Sequence, residues 1–111
     1  MCDTLTFYKA LSEPTRLISL LLLSEHGELC VCDLMEALAL SQPKISRHLA
    51  ELRKHQLVVC ERRSKWVYYQ LHPTLSKWMH DILRATAIHN PSLMVSVPSV
   101  MQGKAVCDFR E

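Results

Sequence analysis

Leu5, Tyr8 and Leu11 recur at the spacing of one helical face, and Ser12-Glu13-Pro14 closes that short first helix. Pro14 opens a second helix, where its missing amide proton is harmless. Leu17, Leu20, Leu21 and His26 mark its length, and Ile18, Leu22 and Leu23 make it apolar on most sides, so it is expected to be the central buried helix, stopped by Gly27. Glu28-Leu29-Cys30-Val31 reads as a brief extended segment. Leu34, Met35 and Leu38 then give a helix of about two turns that ends near Ala39.

Ser41 suits an N-cap and Pro43 a first turn, so a fourth helix is predicted from there to about His55. Ile45, Leu49 and Leu52 form its core stripe; Ser46, Pro43 and Arg47 lie about 100°, 160° and 200° around from Ile45, which turns the polar first turns outward. Leu57 to Cys60 and Trp66 to Leu71 read as two strands of a hairpin with the basic tip Glu61-Arg62-Arg63-Ser64-Lys65. A last helix is expected from about Thr74, with Leu75, Trp78, Met79, Ile82 and Thr86 on an apolar face that has no remaining partner in so small a chain. A second subunit is expected to cover it. The pattern stops at Asn90, which divides the chain into a domain over 1–89 and a flexible tail over 90–111.

A chain of 111 residues has room for one small core. Its 49% hydrophobic and 22% charged residues exclude a disordered chain. The most apolar run, Leu17 to Leu23, is far shorter than the ~20 residues of a membrane span, and Met-Cys-Asp-Thr is no signal-peptide start, so a cytoplasmic protein without membrane contact is expected. Five cysteines, two of them one residue apart, favour reduced thiols over a disulfide framework.

The net charge of +2 conceals a segregation: residues 1–40 carry −4, residues 41–72 carry +5 and residues 73–111 carry +1. A basic block over the fourth helix and the hairpin is the footprint of a polyanion-binding face. A solvated charged surface would have the same composition, and position decides between the two. Short helix, tight turn, capped helix and basic hairpin follow the order of a winged helix-turn-helix, mainly α with a small β-hairpin. Gln42, Ser46 and Arg47 are the candidates for base contact, Lys44 and His48 for phosphate, and Arg62, Arg63 and Lys65 for the DNA backbone or the flanking minor groove beside the wing. No Ser/His/Asp order, glycine-rich phosphate loop or paired carboxylates mark an enzyme, and two glycines leave little material for one.

The stretches Glu28-Leu29-Cys30-Val31-Cys32-Asp33-Leu34, Ser41-Gln42-Pro43-Lys44-Ile45-Ser46-Arg47-His48-Leu49 and Lys65-Trp66-Val67-Tyr68-Tyr69 resemble the ArsR/SmtB family of bacterial metal-responsive repressors, over about Leu5 to Trp78. The pattern is most similar to that of the arsenic-responsive ArsR repressors. The resemblance implies a homodimer on double-stranded operator DNA, paired through its first and last helices, that leaves the operator when As(III) or Sb(III) binds cysteine thiolates.

Cys30 and Cys32 carry the proposed sensor chemistry, because vicinal thiolates suit soft, thiophilic centres. Side chains two apart diverge on a helix and point the same way on a strand, so the pair converges only if the helix has not begun at Cys30. The bland alternative is two small apolar residues filling a helix entry. The arsenic-responsive pattern places a third cysteine three residues after the pair, where this chain has Met35. Two thiolates would serve an arsenical with one organic substituent; otherwise Cys107, or Cys2 of a partner chain as in the related cadmium and lead sensors, would supply a third sulfur. Cys60 reads as a packed strand residue. The Asp-x-His start of the family's zinc site is absent from His80-Asp81-Ile82-Leu83. A cadmium or lead sensor and a thiol-redox switch remain as alternatives, and the redox pair would involve Cys107, since a bridge between cysteines two apart is strained.

Overall fold

The computed structural model describes residues 2–94. Helix α1 (Thr4–Leu11) begins where the Asp3 carboxylate accepts the Thr6 N–H at 2.8 Å. Its buried residues are Phe7 and Ala10, while Leu5 is 80% exposed and Tyr8 also faces out. This corrects the stripe read from the sequence. The helix has two overlapping apolar faces, and the one carrying Phe7 took the core, with the ring edge-on to Tyr8 and Trp78 at centroid distances of 5.4 Å each. Helix α2 (Pro14–His26) starts with the Arg16 N–H donating to Glu13 Oε1 at 2.8 Å and stops at Gly27, whose φ of 86° strains any side chain. Leu20, Leu21, Leu22 and Leu23 are all buried, as expected of the central helix.

Strand β1 (Glu28–Cys30) leads into α3 (Val31–Leu38), and α4 (Gln42–Lys54) follows with Ser41 as its N-cap. Between α3 and α4 the chain turns through Ala39 at φ 54°; the Ala39 and Leu40 amides donate back to Glu36 and Met35 carbonyls at 3.4 and 3.2 Å. Ile45, Leu49 and Leu52 of α4 are buried, as their spacing predicts.

Strands β2 (Val58–Arg63) and β3 (Trp66–Leu71) form the wing. The strands run further than the sequence suggested: Arg62 and Arg63 pair with Val67 and Trp66, which leaves a two-residue tip, Ser64-Lys65, with Ser64 at the positive φ such a turn demands. The hairpin is also part of a three-stranded antiparallel sheet in the order β1-β3-β2. A three-residue strand has too few residues to show a period, so only its long-range pairing with β3 defines it.

Helix α5 (Lys77–His89) starts three residues later than Thr74, and Leu75 is buried in the preceding loop. Its apolar face is not left without a partner within the chain: Met79, Leu83 and Ala87 are buried where the helix packs on α2. Trp78 and Ile88 remain exposed. A 3-10 turn over Pro91–Met94 packs against α2 and α5, with Leu93 on the core. The rest of the expected tail, including Cys107, lies outside the described residues. Among the described residues no helix is long and apolar enough to cross a membrane.

Candidate nucleic-acid interface and thiol pair

Gln42, Lys44 and Arg47 stand exposed on the first two turns of α4, and their side chains make no hydrogen bond or ion pair among the described residues; Ser46 beside them is partly buried. A helix whose N-terminal half projects uncommitted donors fits the B-DNA major groove, and its free amides favour phosphate. His48 is placed differently, with Nδ1 3.8 Å from Glu13 Oε1, the carboxylate oxygen that caps α2.

The wing cations divide into two kinds. Lys65 at the tip is exposed and uncommitted, and Arg62 donates from Nε to the Ser64 carbonyl at 3.3 Å. Arg63 is held instead. Its Nη1 and Nη2 donate to the two oxygens of Glu28 at 3.1 and 2.6 Å, Nη2 also reaches Glu61 at 2.9 Å, and the guanidinium lies 4.7 Å from the Tyr68 ring centroid. The bonds from Glu28 and then Glu61 raise the Arg63 pKa further, and Arg63 lowers that of Glu61. Glu28 is 35 residues away from Arg63, so no local spacing announces this clasp.

The cysteine pair straddles a strand-to-helix junction. Cys30 ends β1 with φ −78° and ψ 154°, the helix begins at Val31, and the Cys30 and Cys32 sulfurs lie 3.5 Å apart. The geometric condition for convergence is therefore met. Cys30 is fully buried and Cys32 half-buried. No group of three or more Cys, His, Asp or Glu side chains placed to hold a metal ion exists among the described residues. Cys2, in the same chain, is buried beside Lys54, His55 and Gln56, where loss of solvent raises its thiol pKa. Cys60 receives an Arg53 Nη1 hydrogen bond at 3.1 Å on the wing.

Asp33 fastens the junction, a role the reading of the sequence missed although an acid three residues after a cap is a capping-box spacing. Its Oδ2 accepts the buried Cys30 N–H at 3.1 Å. Asp33 itself is 3% exposed, and burial raises its carboxyl pKa against the lowering by that hydrogen bond. A raised folded-state pKa means that ionised Asp33 weakens the fold at neutral pH and that this penalty fades as pH falls through the folded value. Asp33→Ala is expected to lower stability by about 1–3 kcal/mol, since it orphans the buried Cys30 amide. Asp33→Asn keeps an acceptor, removes the buried charge and flattens the acid-side pH dependence, and urea titrations at several pH values measure both effects.

Residues 13–59 match the family model described as bacterial regulatory protein, arsR family. The chain is 52% identical over 79 residues to an arsenic resistance transcriptional regulator of Pseudomonas putida, covering 71% of this chain and 69% of that one. It is 54% identical over 76 residues to the arsenical resistance operon repressor of Escherichia coli, covering 68% of this chain and 65% of the relative, slightly under two thirds. Among solved structures it resembles HlyU from Vibrio cholerae with a TM-score of 0.66 at 32% identity, over 74% of this chain and 85% of that one. The transcriptional repressor BigR from Xylella fastidiosa gives a TM-score of 0.65 at 29% identity, over 75% and 81% of the two chains.

Proposed function

Because the chain belongs to the arsR family of bacterial regulatory proteins, DNA-binding regulators of transcription and not enzymes, we propose that it represses by occupying operator DNA and is released by As(III) or Sb(III). The wing and α4 meet the DNA, and the thiolates of Cys30 and Cys32 bind the inducer. The observation that carries the inducer reading is the 3.5 Å approach of two sulfurs at the first turn of α3, the helix that packs against the reading helix. Soft trivalent centres prefer such a pair over hard oxygen donors. The P. putida and E. coli relatives, named for arsenic and arsenical resistance, support the same choice. A third sulfur, where the inducer requires one, comes from Cys107 or from Cys2 of a second copy.

The proposed repressor is a cytoplasmic homodimer. Leu5 and Tyr8 on α1, with Trp78 and Ile88 on α5, are large apolar side chains left exposed, and Tyr8 and Trp78 lie together at a centroid distance of 6.1 Å. A second copy covers this patch economically, and two copies present two reading helices to successive major grooves.

Titrating the operator-bound protein with arsenite, cadmium and hydrogen peroxide tests the reading. Release by arsenite at the lowest concentration supports it. Release by cadmium alone would point to a divalent sensor, and release by peroxide alone to a thiol-redox switch.

The wing has its own expected signature. Arg62→Ala combined with Lys65→Ala weakens binding to most DNA sequences alike, and the slope of log K against log salt falls in magnitude by about 0.9 per lost phosphate contact. A dimer loses up to two contacts per substitution. An unchanged slope would remove the wing tip from the interface.

A further inference from the structure

Strand β1 supports only part of the wing. It pairs with Gln70, Tyr69 and Tyr68 of β3, so the last two rungs of the hairpin, Arg62 with Val67 and Arg63 with Trp66, extend past its end with the Ser64-Lys65 tip as a two-stranded ribbon. Such a ribbon is marginally ordered by itself and twists more than a wider sheet. It nevertheless carries Arg62 and Lys65, the two wing cations that no carboxylate holds among the described residues.

Arg63 folds back from this overhang. The register puts Arg63, Glu61, Tyr68 and Glu28 on one face of the sheet. The guanidinium crosses all three strands there, bonded to Glu61 on β2, 4.7 Å from the Tyr68 ring centroid on β3, and bidentate to Glu28 on β1. Glu28 pairs with Gln70, four positions along β3 from the Trp66 that faces Arg63, so this link runs diagonally across the ladder. The ladder's own hydrogen bonds run perpendicular to the strands, and a diagonal tie restrains the twist that they leave soft. Strand β1 leads directly into α3, which packs against α4, so the tie joins the wing tip to the helices that hold the reading face.

We infer that Arg63 is a positioning residue that makes no DNA contact of its own and whose clasp on Glu28 sets the pose of the wing relative to α4. The inference rests on the proposed binding of operator DNA. Arg62 and Lys65 then arrive already ordered, which strengthens binding by lowering its ordering cost and adds no phosphate contact. Bidentate geometry and the ring beneath give direction to a half-exposed ion pair that would otherwise contribute little. Glu28 is the informative partner, because charge and position act there with opposite signs. Removing an acid from a protein that binds a polyanion strengthens binding by charge alone; releasing the wing weakens it.

The test follows full-length protein on labelled operator DNA by fluorescence anisotropy at several salt concentrations. Glu28→Gln is expected to weaken binding about three- to tenfold, since a dimer loses two clasps. Arg63→Gln is expected to weaken it at least as much and to leave the slope of log K against log salt unchanged, whereas a phosphate contact would lower its magnitude by about 0.9 in each subunit. The double variant is expected to bind no worse than Arg63→Gln alone, as one shared interaction requires. Wild-type or tighter binding by Glu28→Gln, a shallower slope for Arg63→Gln, or additive losses would overturn the inference. A second arm needs no DNA. In hydrogen exchange of the free protein, both single variants are expected to speed exchange over residues 61–68 about two- to fivefold and to leave α2 at its wild-type rate. No acceleration in the wing, or equal acceleration in α2, overturns the clasp. If the wild-type protein binds no operator DNA, the repressor reading fails and the exchange arm still decides whether Arg63 orders the wing.

Discussion

Cys30→Ser and Cys32→Ser proteins are expected to bind operator DNA with near wild-type affinity and to stay bound in arsenite that clears the wild-type protein. Both side chains lie at the start of α3 and neither is among the DNA-reading candidates, so the exchange of sulfur for oxygen leaves the reading face intact. It removes the soft donor on which a thiophilic centre depends. The arsenite concentration for half-release is expected to rise more than about tenfold, equivalent to over about 1.4 kcal/mol of lost differential binding. Cys60→Ser, altered on the wing strand, is expected to respond normally. Cys2→Ser and Cys107→Ser identify the third ligand: loss of response in one names it, and full response in both indicates a two-thiolate site. Fluorescence anisotropy of labelled operator measures all of these. A Cys30→Ser, Cys32→Ser double variant that still releases DNA at wild-type arsenite would show that the inducer binds elsewhere.

Arg47→Ala and Gln42→Ala are expected to act on the other half of the cycle. Each should reduce discrimination between operator and random DNA by about 1–3 kcal/mol per contacted base pair. Both side chains are exposed and uncommitted on α4, so far-ultraviolet circular dichroism and unfolding midpoints should not change. Equal losses on specific and random DNA would make these residues phosphate contacts and would reverse the orientation assigned to α4. Arg63→Ala is expected to differ from both, because its guanidinium already has two carboxylate partners.

Much of the fold is legible in the order of residues because its determinants are local. Pro14 and Gly27 bound α2, Ser41 and the stripe of Ile45, Leu49 and Leu52 define α4, and the β-branched and aromatic runs define the wing. The lysines and arginines of the basic block over residues 41–72 are all exposed. Even the convergence of Cys30 and Cys32 follows from a local question, whether the helix starts at residue 30 or 31.

Competition between surfaces and contacts across long separations were decided only by the tertiary structure. The spacing of Leu5, Tyr8 and Leu11 is as helical as that of Phe7 and Ala10, and only packing against α2 and Trp78 chose the second as the core face. In α5 the same choice sent Met79, Leu83 and Ala87 inward and left Trp78 and Ile88 outside. Strand β1 exists because β3 pairs with it, not because three residues have a strand period. The clasp of Arg63 on Glu28 has no sequence signal at all: a charge carries no information about its partner until the sheet register brings both to one face, and that register is a property of the whole fold.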